Sequence, residues 1–449
     1  MRFLLSFKNF FVFFILLLMP LFNVSAETMT LEGKLQVFIE DDLNGQYRYD
    51  YAIKLNNEQT ISLDAKSATM LAGLKFGTPI QISGHYADNN VIESVMPPFI
   101  VESVMPTAVD KPLFQQAQVK MSNESLPAQK SIGILMMEFN DVKMGSQSSV
   151  KKLNNEMFND WDSANNQYKA NSEGKLSFKQ DSNGDGRADI YGPVLVDVDA
   201  SGLCDYSNWA TQASNIALNE GIDMAQYDYK VFVFPRGTSC KWGGKGRLFC
   251  GDDCRAWVIP NWDTRVTKNL FAHELGHNLG MHHSATDFNN DHQVDEEYGE
   301  QSIMGWGFKT GTFNAPHRYH LGMYDAFPEA LTTVQTSGLY PLTQLQNSYT
   351  VVAPQVLKVI KPSNNKEYFI SLNGYDPLMN PNFIYMYQVS IHTFQGNSTR
   401  SLLISTLDSG EQFVDVDGEF DISVSELIQG FPASANITVN MVESPLLTH

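Results

Sequence analysis

The sequence predicts an α+β protein, with a central domain of mixed strands and helices between two β-rich regions. Short alternating apolar runs broken by turn residues occupy both ends of the chain, while longer strands and helical patterns mix in the middle. A length of 449 residues exceeds one ordinary domain, and 43% apolar residues can build several cores. The net charge of −19 disfavours nucleic acid and anionic membranes as partners.

Residues 1–26 have the pattern of a secretory signal peptide. Arg2 and Lys8 are positive, an almost wholly apolar run follows, and Val24 to Ala26 supply small residues for cleavage. A membrane anchor is the alternative, but the run of about 13 residues is shorter than the ~20 that span a bilayer. We therefore expect a protein without a stable membrane span, secreted to the extracellular space, the periplasm or the cell surface after cleavage near Ala26.

Residues 27–105 are predicted to form a β-barrel or sandwich, a candidate pro-domain, because four short alternating runs lie at 35–39, 49–53, 60–63 and 80–83. The region contains no cysteine, which excludes latency through a thiolate on a metal. Residues 106–129 carry prolines, charges and amides without periodicity, which predicts a linker.

Residues 130–335 are predicted to form the central domain. An apolar strand at 132–139 precedes a long amphipathic helix at 149–169, with Leu153, Met157 and Trp161 at a spacing of four. Two further strands are predicted at 230–234 and 256–259, and a second helix begins near Thr264. Residues 336–449 return to short strands with Gly, Pro and Asn turns, which predicts a C-terminal β-sandwich.

All four cysteines, Cys204, Cys240, Cys250 and Cys254, lie within one stretch of the central domain. Disulfides are expected in an exported protein, and the spacing lacks the two C-x-x-C pairs of a thiolate zinc site. Three pairings are open, and the Gly243-Gly244 turn slightly favours Cys240 with Cys250.

A cluster of histidines carries the candidate chemistry. His273 and His277 are four residues apart, so on a helix they project from the same face and can share one ion. Gly280 can adopt a positive φ that lets the chain leave the helix and return His283 to the same point. Three neutral imidazoles suit zinc and leave one tetrahedral position open to water. His282 competes with His283 for the third place, but the spacing from Gly280 favours His283.

Glu274 follows the first of these histidines and is the candidate catalytic base. Its carboxylate cannot reach the ion from its own place on the helix, but it can accept a proton from water activated there and pass it to a leaving amine. This arrangement is typical of peptide hydrolysis. The full H-E-x-x-H-x-x-G-x-x-H string arises by chance in only about one chain in 10⁵ of this length.

This string resembles the zinc-binding signature of the metzincin peptidases, and Met304, about 20 residues after His283, resembles the methionine of their Met-turn. Several further segments are similar to the gametolysin family of secreted metallopeptidases: His273 to Asn278, Glu297 to Gly299, Met304-Gly305, Phe313 to Pro316, Leu321-Gly322, Cys240 to Gly244 and Arg255 to Trp257. The resemblance spans roughly residues 200–325. It implies a metzincin-like zinc peptidase fold and cleavage of extracellular-matrix or cell-wall proteins.

One position departs from the metzincin pattern. Several metzincins have a tyrosine two residues after the Met-turn methionine, where this chain has Trp306, and an indole is a poor metal ligand. Tyr298 or Tyr319 is the alternative stabiliser of a developing oxyanion.

Two loops predict calcium sites because oxygen-bearing side chains recur at alternate positions. The first loop contains Asp181, Asn183, Asp185 and Asp189, and the second contains Asp287, Asn289, Asp291 and Asp295. The first lacks the glutamate at position twelve of an EF-hand, and the second has a histidine in place of its glycine. Solvated turns in an acidic protein are the alternative for both loops.

The sequence therefore predicts a secreted zinc endopeptidase that acts on protein substrates, including glycosylated or polymeric ones. The alternative is a secreted adhesion or binding protein in which the β-rich regions do the work and the zinc domain is structural. Glu274 and an open coordination position favour the peptidase, because a structural zinc site normally closes with a fourth protein ligand.

Overall fold

The computed structural model describes residues 28–42, 45–57, 59–71, 74, 77–87, 98–106, 126, 128–145, 148–251, 253–306, 311–345, 354–374, 387–396, 398–430 and 432–442. The predicted signal peptide and most of the predicted linker lie outside these residues. The described part is α+β, with mostly strands and a few helices, as predicted. None of its helices has the length and apolar character needed to cross a membrane.

The N-terminal region is a small barrel of five antiparallel strands. The strands and their one short helix are β1 Met29–Asp42, β2 Tyr47–Leu55, β3 Thr60–Ser62, α1 Ala68–Leu71, β4 Pro79–Tyr86 and β5 Phe99–Pro106. They are ordered β3-β2-β1-β4-β5, and a bridge between Leu63 and Phe99 brings the two ends of this order together. Alternate residues such as Leu35, Ile53 and Ile82 point inward and give the barrel a core of its own.

The central region contains a mostly parallel sheet with helices packed against it. Its strands are β6 Ala128–Glu138, β7 Leu176–Lys179, β8 Ile190–Leu195, β9 Tyr229–Val233, β10 Trp242–Arg247 and β11 Cys254–Val258. Its helices are α2 Val150–Asn154, α3 Ala164–Asn171, α4 Tyr206–Asn219 and α5 Thr264–Asn278. The order runs β10-β11-β9-β6, and β10 is antiparallel to its neighbour β11. Strand β1 of the barrel pairs with the other side of β10, so one sheet includes both regions.

The single helix predicted at 149–169 is wrong, because the chain forms two helices there. After α2, residues Asn155–Asn159 form a π-helical turn, and the backbone becomes extended at Asp160. The Ser163 side chain then caps α3 by accepting a hydrogen bond from a backbone N–H of its first turn. Trp161, predicted to lie on the apolar face, falls in the break and is 54% exposed.

The C-terminal region is a sandwich of two sheets around a shared core. Its elements and those that lead to it are β12 Ser284–Thr286, β13 Glu296–Glu297, α6 Ala315–His320, α7 Met323–Ala326, β14 Leu331–Val334, β15 Gly338–Thr343, β16 Val356–Ile360, β17 Glu367–Asn373, β18 Gln388–Phe394, β19 Ser401–Leu407, β20 Gln412–Val414, β21 Phe420–Ile428 and β22 Ser434–Met441. One sheet runs β13-β12-β19-β18-β17-β16-β14 and the other β15-β22-β21-β20. Strands β12 and β13 belong to the predicted central range, so the sandwich is attached to the chain directly after His283.

Candidate metal centre

Helix α5 positions the first two histidines. It begins at the N-cap Asp263, and Phe271 and Leu275 pack into the central core. The Tyr168 hydroxyl donates a hydrogen bond to the carbonyl of Ala272, 2.7 Å away, which fixes the helix at the residue before His273. The face that carries His273 is therefore held rigidly against the sheet.

The helix ends in a Schellman motif centred on Gly280. The N–H of Gly280 donates to the carbonyl of His277 at 2.8 Å, and the N–H of Met281 donates to that of Gly276 at 3.0 Å. Gly280 has a φ of 86°, and a Cβ there would lie 2.3 Å from the Phe249 ring. Only glycine fits this exit, which turns the chain back toward the helix as the sequence predicts.

The three predicted ligands, His273, His277 and His283, meet at one point. Their ring centroids are 4.7 to 5.3 Å apart. Each Nδ1 faces an acceptor: the carbonyl of Ile303 at 2.7 Å, the carbonyl of Met281 at 2.8 Å and the Glu297 carboxylate at 2.9 Å, respectively. These acceptors fix the proton on Nδ1 and leave the Nε2 lone pairs directed at the common point.

The fourth position is filled by Asp41, from strand β1 of the barrel. Its carboxylate oxygens lie 3.4 Å from Nε2 of His273, 3.3 Å from that of His277 and 2.9 Å from that of His283. The four ligand atoms all lie within 4.8 Å of one another, and all four residues are buried. The open position predicted from the sequence is therefore wrong for the intact chain, because a carboxylate from a distant strand reaches it.

This donor set fits zinc. Three imidazole lone pairs and a carboxylate in a buried pocket repel one another unless a cation lies between them, and three nitrogens plus one oxygen form a tetrahedral zinc set. Burial lowers the pKa of His277 to about 4, which keeps that ring neutral, as a ligand must be. Burial alone would raise the pKa of Asp41, but the imidazoles of His283 and His273 outweigh it and hold that pKa well below its usual range.

Glu274 is fully buried beside this point, against strand β10. A Cβ at Gly244 would lie 2.0 Å from its Oε1 atom, so the glycine makes room for the carboxylate. In the described part of the chain, no N–H or O–H group donates a hydrogen bond to either oxygen. Burial, and then the charge of Asp41, raises the pKa of Glu274 well above its usual value. Asp41 is thus the charged neighbour of Glu274 at the centre, and both Glu274 oxygens would be available to a small polar molecule once Asp41 leaves.

Met304 lies beneath the histidines, where the Met-turn resemblance implies. It is fully buried, and a Cβ at Gly276 would lie 2.4 Å from its sulfur atom. The preceding Ile303 carbonyl orients His273. This turn therefore supports the first ligand both by packing and by a hydrogen bond.

Of the two candidate tyrosines, only Tyr298 reaches the centre. Its hydroxyl donates a hydrogen bond to Asp41, and its ring centroid lies 4.4 Å from that of His283. Tyr319 instead packs against Phe369 and contacts Lys358 in the C-terminal region.

His282 turns away from the metal point, which leaves the third position to His283. The Nδ1 atom of His282 accepts a hydrogen bond from Nε of Arg400 at 3.1 Å, and its other nitrogen contacts the hydroxyl of Tyr49 on β2. Arg400 also forms an ion pair with Glu297 at 3.2 Å, and Glu297 in turn orients His283. His282 thus belongs to the support of the site.

Asp41 and Arg400 were missed by the sequence reasoning. Each comes from an element far along the chain from the histidine string, and neither belongs to a motif. Glu297 was noted through the family resemblance and, with Glu296, as a further acid of the second predicted calcium loop, but not as a partner of His283. Charged residues at strand ends are too common to single these residues out.

The cysteines form the pairs Cys204–Cys240 and Cys250–Cys254. The preference for Cys240 with Cys250 is wrong. Strand β10 lies between these two residues and carries Cys250 toward the end of α5, where its sulfur lies 3.1 Å from the Asn278 carbonyl. Cys240 packs instead in the core beside α4.

The two predicted calcium loops fold as tight acidic turns whose carboxylates bind their own backbone. Asp181 accepts hydrogen bonds from the N–H groups of Gly184 and Gly186, and Asp287 accepts one from His292. Asp189 faces inward to the hydroxyls of two tyrosines. Among the described residues, neither loop brings three acidic ligand atoms together. Calcium at these loops stays a prediction without support from the geometry.

The family model for gametolysin peptidase M11 matches residues 134–409, well over half of the chain. No curated protein matches this chain. Among solved structures, a chain of a chaperone–substrate complex is 11% identical with a TM-score of 0.26, and the match covers 59% of this chain and 35% of that one. Wild-type OgpA from Akkermansia muciniphila is 10% identical with a TM-score of 0.29, and the match covers 67% of this chain and 99% of that one. This chain thus spans about a third of the length of the first of these two structures.

Proposed function

The chain belongs to the gametolysin peptidase M11 family, and from this premise we propose that it is a secreted zinc-dependent endopeptidase of the metzincin type. Its substrates would be extracellular, matrix or cell-wall proteins. The observation that carries the proposal is the convergence of three Nε2 atoms beside the fully buried carboxylate of Glu274. This arrangement joins a metal site to a candidate base.

His273, His277 and His283 would hold the ion. Bound zinc lowers the pKa of a water molecule and polarises a peptide carbonyl. Glu274 accepts a proton at one carboxylate oxygen and then delivers it to the leaving amine. The lack of other donors to its oxygens in the described part of the chain leaves the carboxylate available for this transfer.

Tyr298 and an adjoining cleft complete the proposed site. The Tyr298 hydroxyl, which now donates to Asp41, can donate to the carbonyl oxygen of a substrate at the same place. Beside it, Leu270, Ile303 and Trp306 line part of an open, mostly apolar cavity, which Asp41 and Asp42 of the barrel also line. Such a cavity would accept an apolar side chain next to the cleaved bond.

A second function is favoured by Asp41. Three histidines and an aspartate form a closed ligand set of the kind expected for a structural zinc site. In that case the protein would be a secreted adhesion or binding protein whose β-rich regions carry the activity. The two functions differ in whether Glu274 does chemistry once the fourth position is free.

The test compares Asp41→Ala with the double variant Asp41→Ala/Glu274→Gln on gelatin and casein, with zinc content measured in both. We expect equal zinc and a loss of about 10³-fold in rate in the double variant, as for removal of a general base. Glu156→Gln in the Asp41→Ala background is the matched control, because Glu156 is equally buried but lies outside the site. Zinc-loaded Asp41→Ala protein that cleaves neither substrate, even after proteolytic cleavage within the predicted linker at 106–129, would argue for the structural role.

A further inference from the structure

The N-terminal barrel occupies the active-site cleft. We propose that it is an internal inhibitor, in which Asp41 is a removable fourth zinc ligand and strand β1 fills the groove where an extended substrate would pair. This inference rests on the proposed function and adds a regulatory role for residues 27–105. Because the region lacks cysteine, a carboxylate here takes the place that a thiolate would otherwise fill.

The register of β1 against β10 aims Asp41 at the metal point. Asp41 is paired with Gly244 and Ile39 with Gly246. A Cβ on either glycine would meet Glu274 or His277 on α5, so this face of the ladder points to the helix. Directly opposed residues share a face, and a slip of one residue would turn the carboxylate to the other side of the sheet. The pairing of β1 with β10 thus places Asp41, and not a neighbouring residue of β1, at the metal point.

Strand β10 is the natural binding edge of the central sheet. Its inner neighbour is β11, and its outer hydrogen-bonding groups are used by β1 over Phe38 to Asp42. An uncovered edge strand beside a catalytic metal would bind an extended peptide by the same backbone hydrogen bonds. Strand β1 therefore occupies the cleft in the manner of a substrate, with a carboxylate where the peptide bond to be cleaved would lie.

Polar contacts hold β1 in place on one side of Asp41. Lys245, on β10, is fully buried between the carboxylates of Glu40, 3.2 Å away, and Asp50. Its ammonium also lies 4.0 Å above the ring of Tyr206 on α4. Phe38 is on the same face of β1 as Glu40, and it packs in the core of the central region against Trp257. These contacts resist any shift of the strand that carries Asp41.

A second group of contacts, made by Arg400, holds strand β2 of the barrel. Arg400, next to β19, donates hydrogen bonds to the hydroxyls of Tyr47, at 2.9 Å, and Tyr49, at 3.2 Å, on β2. The same guanidinium pairs with Glu297, which orients His283. Attachment of the barrel is thus coupled to the position of a metal ligand.

The barrel nevertheless shares little apolar core with the central region. Its main core, which includes Leu35, Ile53 and Phe99, is separate from the cores of the central region, to which the barrel contributes Phe38 and Ala52. The ladder that joins it to the central sheet covers only five residues of β1. Removing Asp41 from the centre leaves the three histidines with their own Nδ1 partners, so the metal would stay in place.

The experiment uses the full chain loaded with cobalt(II), in wild-type, Asp41→Ala and Asp41→Asn forms. Glu32→Gln is the control, because Glu32 is an exposed acid on the same strand outside the ladder with β10. The readouts are the visible absorption of bound cobalt, the affinity for acetohydroxamate measured by calorimetry, and hydrolysis of gelatin. The asparagine variant keeps the side-chain size if alanine impairs folding.

We expect the cobalt spectrum to change in the Asp41 variants and acetohydroxamate to bind them at least ~100-fold more tightly than wild type, with Glu32→Gln like wild type. This ratio follows if the open state of the intact chain is populated at about 1% or less. Equal spectra and equal acetohydroxamate affinity in wild type and the Asp41 variants would overturn the inhibitor role. Tighter acetohydroxamate binding would support the inhibitor role whether or not gelatin is cleaved, because β1 still covers the groove in the uncut variants. Absence of gelatin hydrolysis after proteolytic cleavage within the predicted linker at 106–129 would count against the peptidase function, so the two failures are distinguishable.

Discussion

Substitution of Gly280 by alanine directly tests the turn that ends helix α5 and brings His283 to the metal point. A non-glycine residue at a φ of 86° costs about 1–2 kcal/mol. The new Cβ would also lie 2.3 Å from Phe249, and forcing a side chain to move in a packed core costs about 1–3 kcal/mol. We therefore expect Gly280→Ala to lower the free energy of unfolding by about 2–5 kcal/mol.

Gly221 offers a matched control. It follows α4 with a φ of 87°, and no atom lies within 4 Å of the place where its Cβ would be. Gly221→Ala therefore carries the backbone cost alone, about 1–2 kcal/mol. The difference between the two variants isolates the contact with Phe249.

The assay is urea denaturation followed by circular dichroism, together with zinc affinity measured by competition with a chelator. Besides the loss of stability, we expect zinc affinity to fall about tenfold or more in Gly280→Ala, because a displaced exit moves His283. Equal destabilisation of the two variants, with unchanged zinc affinity in both, would refute the claim that this packed exit positions the third ligand.

Two further predictions concern buried charges. Burial raises the pKa of Glu156 to about 7. The contribution of the neutral carboxyl to the free energy of unfolding is therefore fully present below the unfolded pKa of about 4.3 and is lost as the pH rises through 7. In urea titrations Glu156→Gln should match the stability of wild type at pH 4 and exceed it by about 1–3 kcal/mol at pH 8, and equal stability at pH 8 would contradict this prediction. Among the described residues, Lys245→Met leaves the exposed Arg48 as the remaining cation beside Glu40 and the partly exposed Asp50. Docking of the barrel should therefore weaken by about 1–2 kcal/mol. We expect faster hydrogen exchange in β1 with β9 unchanged, and equal exchange in β1 would contradict this prediction.

The convergence of His273, His277 and His283 could be predicted because its determinants are local. The helical spacing of His273 and His277, and the glycine that ends the helix, lie within eleven residues of sequence. Backbone geometry alone then returns His283 to the same face. Four of the five strands of the barrel were predicted for a similar reason, since alternation of apolar residues is a property of each strand by itself, whereas β5 was not predicted.

The fourth ligand could not be predicted, because it depends on how two regions dock. Asp41 reaches His277 across 236 positions of sequence, through a strand pairing that no local pattern specifies. The helix predicted at 149–169 failed for a related reason. There Asp160 and Asp162 bind the ammonium of Lys268 on α5, so contacts between elements overrode a regular apolar spacing.

A single cut between β5 and β6 would be enough to release the barrel. While it is attached, its effective concentration at the cleft is on the order of millimolar. With a docking dissociation constant in the micromolar range, the closed state of the intact chain exceeds the open state by about 10³ to 1. Once the linker is cut, the same constant allows the barrel to dissociate when the protein is at nanomolar concentration. Such a cut would fall within the predicted linker at 106–129, after β5 ends at Pro106 and before β6 begins at Ala128. Latency would then depend on one peptide bond outside the cleft, and no contact around Asp41 needs to be weak.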